Sequence, residues 1–272
     1  MSEQYTLEDD EILRVTDLSI SFGGLKAVDS LSFSIRKDQV FGLIGPNGAG
    51  KTTAFNCITQ FYKPDTGTVI FRTKSGEIED LVGKNSHDII KKGLVRTFQN
   101  VELIPELSVL DNVLLGAHAD FKASVIAQAL KFPSARREEA MHREKAMEAL
   151  EFMKISQYKD SLCSGLPYGI RKKVEMARTL LCEPNLIIFD EPAAGLNDTE
   201  TNELVEHMEQ IREKYKCSIL MVEHDMGLIM TVCDRICAIS FGKFLAEGTP
   251  DEIKKNPLVQ EAYLGEEEKQ NE

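Results

Sequence analysis

Val40-Phe41-Gly42-Leu43-Ile44-Gly45-Pro46-Asn47-Gly48-Ala49-Gly50-Lys51-Thr52-Thr53 is the stretch whose reading decides the fold. Val40 to Ile44 runs apolar without alternation, the pattern of a strand covered on both faces. Gly45 to Thr52 then matches GxxxxGK[ST] at every position, with a helical pattern starting near Lys51. The glycines let the backbone wrap so that successive N–H groups point inward at phosphate oxygens, and the helix N-terminus adds positive potential at the same spot. Lys51 is expected to reach the β- and γ-phosphates, Thr52 to ligate Mg2+, and Thr53 to touch the α-phosphate. The alternative is a chance glycine-rich turn, and the strand-loop-helix context weighs against it. This motif speaks for nucleotide binding and does not say which nucleotide.

Working outward, Leu186-Ile187-Ile188-Phe189 and Ile219-Leu220-Met221-Val222 repeat the unbroken apolar pattern, with helical spacing between them. Strands alternating with helices predict an α/β core with a parallel sheet. Before it, Val15 to Ile20 and Leu31 to Ile35 alternate with period two, which predicts a half-buried antiparallel sheet. Between about 100 and 181 strand signals vanish, and the Ala-, Glu- and Lys-rich run from Arg136 to Met153 reads as helix. The predicted organisation is one domain, 1–272. Residues 1–99 and 182–248 form the core with its antiparallel β-subdomain, 100–181 an inserted helical subdomain, and 249–272 short helices and a frayed acidic tail.

The second buried run ends in Asp190-Glu191. Side chains alternate along a strand, so two adjacent carboxylates serve different tasks. Asp190 is expected to hold Mg2+, and Glu191 to polarise an attacking water as general base. A capping role at a strand-to-helix turn is the bland alternative, and the phosphate loop elsewhere in the chain disfavours it.

A net charge of −12 argues against a nucleic-acid binder, which needs a basic face to neutralise phosphates. No apolar run approaches the roughly 18 residues that span a bilayer, and the acidic N-terminus lacks a secretory pattern. Six cysteines without a CxxC pair read as buried free thiols. The basic clusters Arg136-Arg137 and Arg171-Lys172-Lys173 read by default as solvated helix faces.

These signals, with others in a fixed order, resemble ABC-transporter ATPases over nearly the whole length. Gln99, in Arg96-Thr97-Phe98-Gln99-Asn100, looks like the glutamine that senses Mg2+ and links the core to the helical subdomain. Leu166-Pro167-Tyr168-Gly169 stands at the place of the family's signature motif, and Ala194-Gly195-Leu196-Asn197 at its D-loop. His224 looks like the switch histidine on the γ-phosphate, and Phe22 falls where an aromatic stacks on adenine. Within the family the chain is similar to the LivG-type ATP-binding subunits of branched-chain amino-acid importers. The stretches Val95 to Gln99, Leu130 to Arg137, Leu166 to Gly169, Asp190 to Asn197 and Gly248 to Gly265 carry that likeness.

The resemblance implies an ATP- and Mg2+-dependent motor at the cytoplasmic face of the inner membrane, held there by two transmembrane permease subunits. It also implies a second ATPase subunit in a nucleotide-dependent head-to-tail dimer, and an extracytoplasmic binding protein. The alternatives are the same motor for urea, amides or another cargo, and a soluble ABC ATPase outside transport; a GTPase lacks its NKxD motif here. The family pattern also has departures. Pro167 stands in the serine position, Tyr168 in the first glycine position, and Ile170 where a polar residue is usual. Pro167 has neither a hydroxyl nor an N–H, so the ATP site fed by this signature is expected to work more slowly, and restoring Ser at Pro167 and Gly at Tyr168 to speed it.

Overall fold

The computed structural model describes residues 5–97, 101–120 and 133–270. Gln99, with Phe98 and Asn100, lies outside the described residues, as do the residues of the 130–137 stretch before Pro133.

Three unbroken apolar runs form the centre of the larger sheet. They are β3 (Val40–Ile44), β7 (Leu186–Asp190) and β8 (Ser218–Val222), each buried at every position. The sheet has six strands in the order β10-β9-β3-β8-β7-β6, with β6 at Leu94–Arg96, β9 at Arg235–Ser240 and β10 at Lys243–Gly248. Only β10, at an edge, runs antiparallel to its neighbour. The alternation missing from these sequences reappears in where the side chains go. Val40, Ile44, Ile187, Phe189, Ile219 and Met221 enter one core cluster. Phe41, Leu43, Ile188, Leu220 and Val222 enter the other. A strand with a core on each side can show no polar face. Truncating Phe189, which is fully buried, should cost about 3–5 kcal/mol.

The second cluster is closed by α1 (Lys51–Ile58) and by a four-stranded antiparallel sheet, order β2-β1-β4-β5. Its hairpin joins β1 (Glu11–Phe22) to β2 (Leu25–Arg36) through Gly23 and Gly24, both at positive φ, as a tight two-residue turn requires. Strands β4 (Thr66–Arg72) and β5 (Ile78–Asp80) complete it from beyond the phosphate loop. A short helix, α2 (Ser86–Lys91), leads into β6.

The first cluster is closed by helices. The described residues of the 101–181 region carry α3 (Val109–Leu114), α4 (Pro133–Phe152) and α5 (Tyr168–Leu180), with 3-10 turns and no named strand. Beyond β7, α6 (Asp198–Tyr215) starts in a capping box between Asn197 and Glu200. After β8 comes α7 (Met226–Val232), and after β10 come α8 (Pro250–Lys255) and α9 (Pro257–Gln270). Glu266-Glu267-Glu268, expected as a frayed tail, lies within α9, in keeping with the good helix propensity of glutamate. All six cysteines are buried and outside any disulfide. Burial pushes the Cys57 thiol up to about 11, and those of Cys217 and Cys233 to about 12. No described helix is long and apolar enough to cross a membrane.

Candidate functional site

The loop after β3 can close only because two of its glycines have no side chain. A β-carbon on Gly45 would stand 2.3 Å from the Ile239 carbonyl oxygen, and one on Gly50 2.4 Å from that of Ala27. Gly50 also has φ of 99°, a region costly for other residues. With these approaches the loop lies against the ends of β9 and β2, and α1 begins at Lys51. Lys51 is buried, and its Nζ donates to the carbonyls of Gly45 (2.6 Å) and Pro46 (3.0 Å). The side chain is thus folded back along its own loop. Residues 47–53 line a cleft of about 440 Å³, joined by Glu191 and His224 from the ends of β7 and β8 and by Leu25, Lys26, Ala27 and Phe241.

Glu191 leaves β7 in the left-handed region, at φ 48°. Strain of this kind in a non-glycine residue concentrates at functional sites. It is held by its N–H, which donates to the Val222 carbonyl (2.9 Å), and its Oε1 lies 2.7 Å from His224 Nε2. Sequence reasoning passed over Glu223 beside it. This buried carboxylate accepts the Ala193 N–H at 2.6 Å and the His224 N–H at 3.3 Å, tying the turn after β7 to the end of β8. Burial raises its pKa above the ordinary carboxylate value.

Asp190 is buried and does not line the cleft. Its Oδ2 accepts from Arg96 Nη2 at 2.6 Å, while Arg96 Nη1 donates to Asn56 Oδ1 on α1, also at 2.6 Å. Arg96 therefore clamps β6, β7 and α1 together, a role that no motif announces. Among the described residues no group of three or more His, Cys, Asp or Glu side chains is placed to hold a metal ion. A Mg2+ ion that keeps water and phosphate oxygens as ligands needs no such cage. One hydroxyl from Thr52 and one carboxylate from Asp190 suit that donor set.

The remaining expected site residues lie elsewhere. Phe22 ends β1, 47% exposed and edge-to-face with Tyr62 at 5.3 Å, and is not among the cleft-lining residues. Leu166, Pro167, Tyr168 and Gly169 are likewise absent from the lining; Pro167 caps α5, and Gly169 backs onto Glu200. The Tyr168 ring packs on Gly195 within the same chain, where a β-carbon would stand 3.3 Å from the ring.

Residues 28–194 match the family described as ABC transporter, and residues 245–269 one described as branched-chain amino acid ATP-binding cassette transporter. The high-affinity branched-chain amino acid transport ATP-binding protein LivG of Salmonella typhimurium is 42% identical over 255 residues, covering 94% of this chain and 98% of that protein. BraF of Pseudomonas aeruginosa, of the same description, is 41% identical with the same coverage. Among solved structures, the ADP conformation of MJ1267, an ATP-binding cassette of an ABC transporter, has a TM-score of 0.79 at 33% identity, covering 94% of this chain and 99% of that one. CbiO1 from Clostridium perfringens, part of the cbiONQ transporter complex, has a TM-score of 0.76 at 25% identity, covering 94% and 96%. With a profile match over more than half its length and relatives this similar along nearly all of it, the chain belongs to the ABC transporter family, as an ATP-binding cassette that hydrolyses ATP.

Proposed function

We propose that the chain is the ATP-hydrolysing subunit of an importer for branched-chain amino acids, driving transport through separate permease subunits. The observation that carries the motor reading is the Glu191–His224 pair facing the phosphate loop across one cleft. Lys51 and the backbone of residues 45–53 bind the phosphates. Thr52, Gln99 and, through water, Asp190 would hold Mg2+, which would offset the charge of the phosphate oxygens. Glu191 takes a proton from the water that attacks the γ-phosphorus, and His224 keeps that carboxylate oriented while reaching the γ-phosphate. In phosphoryl transfer most of the catalytic effect comes from such positioning and charge stabilisation.

The signature segment, Leu166 to Gly169, lies outside its own chain's cleft, which suits a segment acting on nucleotide held by a second ATPase subunit in a head-to-tail dimer. The 100–168 region, with the exposed Arg136 and Arg137, is the docking surface for a permease, which holds the chain at the cytoplasmic face of the inner membrane. An extracytoplasmic binding protein delivers the cargo. The cargo assignment is supported by the names of the relatives and by the match at 245–269.

The test is uptake in vesicles that contain this chain, its permeases and its binding protein. ATP-dependent accumulation of labelled leucine, abolished by Lys51→Ala, is the expected result. Accumulation of urea instead, or of neither, would overturn the cargo assignment.

A further inference from the structure

Phe241 sits at the tip of the β9–β10 hairpin, where Ser240 pairs with Lys243 and the turn consists of Phe241 and Gly242. Both turn residues have positive φ, 49° and 77°. Such a turn favours Asn-Gly or Gly-Gly, and a bulky side chain at φ of this sign is an outlier. Phe241 is also 80% exposed, so its ring contributes little to the folded core in return for that strain.

The backbone beneath the ring is fixed. The Gly242 N–H donates to the Ala49 carbonyl at 2.9 Å, and the Gly242 carbonyl accepts from the Asp29 N–H at 2.8 Å. A β-carbon on Gly242 would meet the Ala27 carbonyl oxygen at 2.7 Å, so the hairpin tip is wedged between the phosphate loop and β2. A strained, exposed aromatic is thus carried on a rigid support beside the phosphate loop, and it lines the same cleft as Lys51, Thr52 and Leu25. Strained residues of this kind gather at ligand clamps.

We infer that Phe241 is a nucleotide-contacting residue whose ring packs on the nucleoside part of the ATP bound by the same subunit. The inference rests on the ATP-binding reading above and adds a residue to it. The phosphate loop fixes the phosphates, and the apolar edge formed by Leu25, Ala27 and Phe241 is the part of the cleft suited to a base or sugar. An aromatic face takes any base, so Phe241 strengthens binding without selecting adenine.

The chain contains no tryptophan, so Phe241→Trp gives a single reporter. Its fluorescence should change saturably with ATP, and the midpoint should not depend on protein concentration. Phe244→Trp, on the same hairpin but outside the cleft lining, should respond weakly or not at all. By calorimetry, Phe241→Gly should weaken ATP binding about 5-fold or more, in line with other base–aromatic contacts. Its melting temperature should hold or rise, because glycine removes the backbone strain. Unchanged ATP affinity in Phe241→Gly would overturn the inference. So would a tryptophan response that appears only as protein concentration rises, which would assign the ring to a second copy of the chain. If the parent chain itself bound no ATP, the ATP-binding reading would fail along with it; parent binding with a silent Phe241→Trp would remove this inference alone.

Discussion

His224 Nε2 lies 2.7 Å from Glu191 Oε1, joining the residues that follow β8 and β7 across the mouth of the cleft. Glu191 is mostly shielded, with 15% of its side chain exposed, and the histidine is one of the contacts that fix its direction. His224→Ala should leave ATP affinity nearly unchanged and lower hydrolysis by about 10²-fold, the lower range for a positioned proton-transfer group. Single-turnover hydrolysis beside equilibrium ATP binding checks this; a parallel loss of both would assign His224 to binding.

Arg96 and Asp190 form a buried pair, 7% and 4% exposed, with Asn56 on the second prong of the guanidinium. Removing one partner leaves a charge buried without compensation. Arg96→Ala should therefore destabilise the chain by about 3–5 kcal/mol, read from urea midpoints. Arg96→Lys should recover little, since a single ammonium cannot reproduce the two-pronged contact.

Glu223 gives a pH-dependent effect of definite sign. Its folded-state pKa is raised from 4.5, with burial as the main cause, so folding favours its protonated form. That contribution is fully present below the unfolded value and is lost as pH rises through the folded one. At neutral pH the ionised carboxylate is therefore a burden. Glu223→Gln, which keeps an acceptor for the Ala193 N–H, should be more stable than the parent near pH 7. The advantage should shrink as pH falls toward 4.5, as urea midpoints across that range would show. An advantage that grew on acidification would contradict the burial argument.

Tyr168 changes the expectation for the signature. Its ring packs on Gly195 of the turn after β7, and the Arg171 guanidinium lies 5.6 Å from the ring centre. Pro167 and Tyr168 are therefore not equivalent departures from the family pattern. In the assembled complex, Pro167→Ser should raise ATPase activity, by about tenfold if it restores one charge-assisted hydrogen bond. Tyr168→Gly should lower it, because it removes the contact that ties α5 to the D-loop turn. A rise with Tyr168→Gly would show that the ring only fills the place of a donor.

The parts of the site that the sequence made legible are those where the chemistry is contiguous. Gly45 to Thr53, Asp190-Glu191 and the three buried strands each need only a few adjacent residues in one pattern. What stayed hidden depends on partners distant in the chain. Arg96 and Asp190 are 94 residues apart, and Glu223 and Ala193 are 30 apart. Nothing in the local composition of either residue announces the other. The β6 strand has three residues, too few for periodicity to register. Phe241 looks like an ordinary hairpin aromatic until its φ, its exposure and its place beside the phosphate loop are seen together.

The central claim is that Glu191 is the base of an ATP-hydrolysing site built on Lys51. Its most direct test is to measure ATP affinity and turnover side by side for the parent, Glu191→Gln and Lys51→Ala. Glu191→Gln should bind ATP as the parent does and lose roughly 10²–10⁴-fold in hydrolysis, while Lys51→Ala should lose binding itself. Hydrolysis at the parental rate by Glu191→Gln would contradict the account.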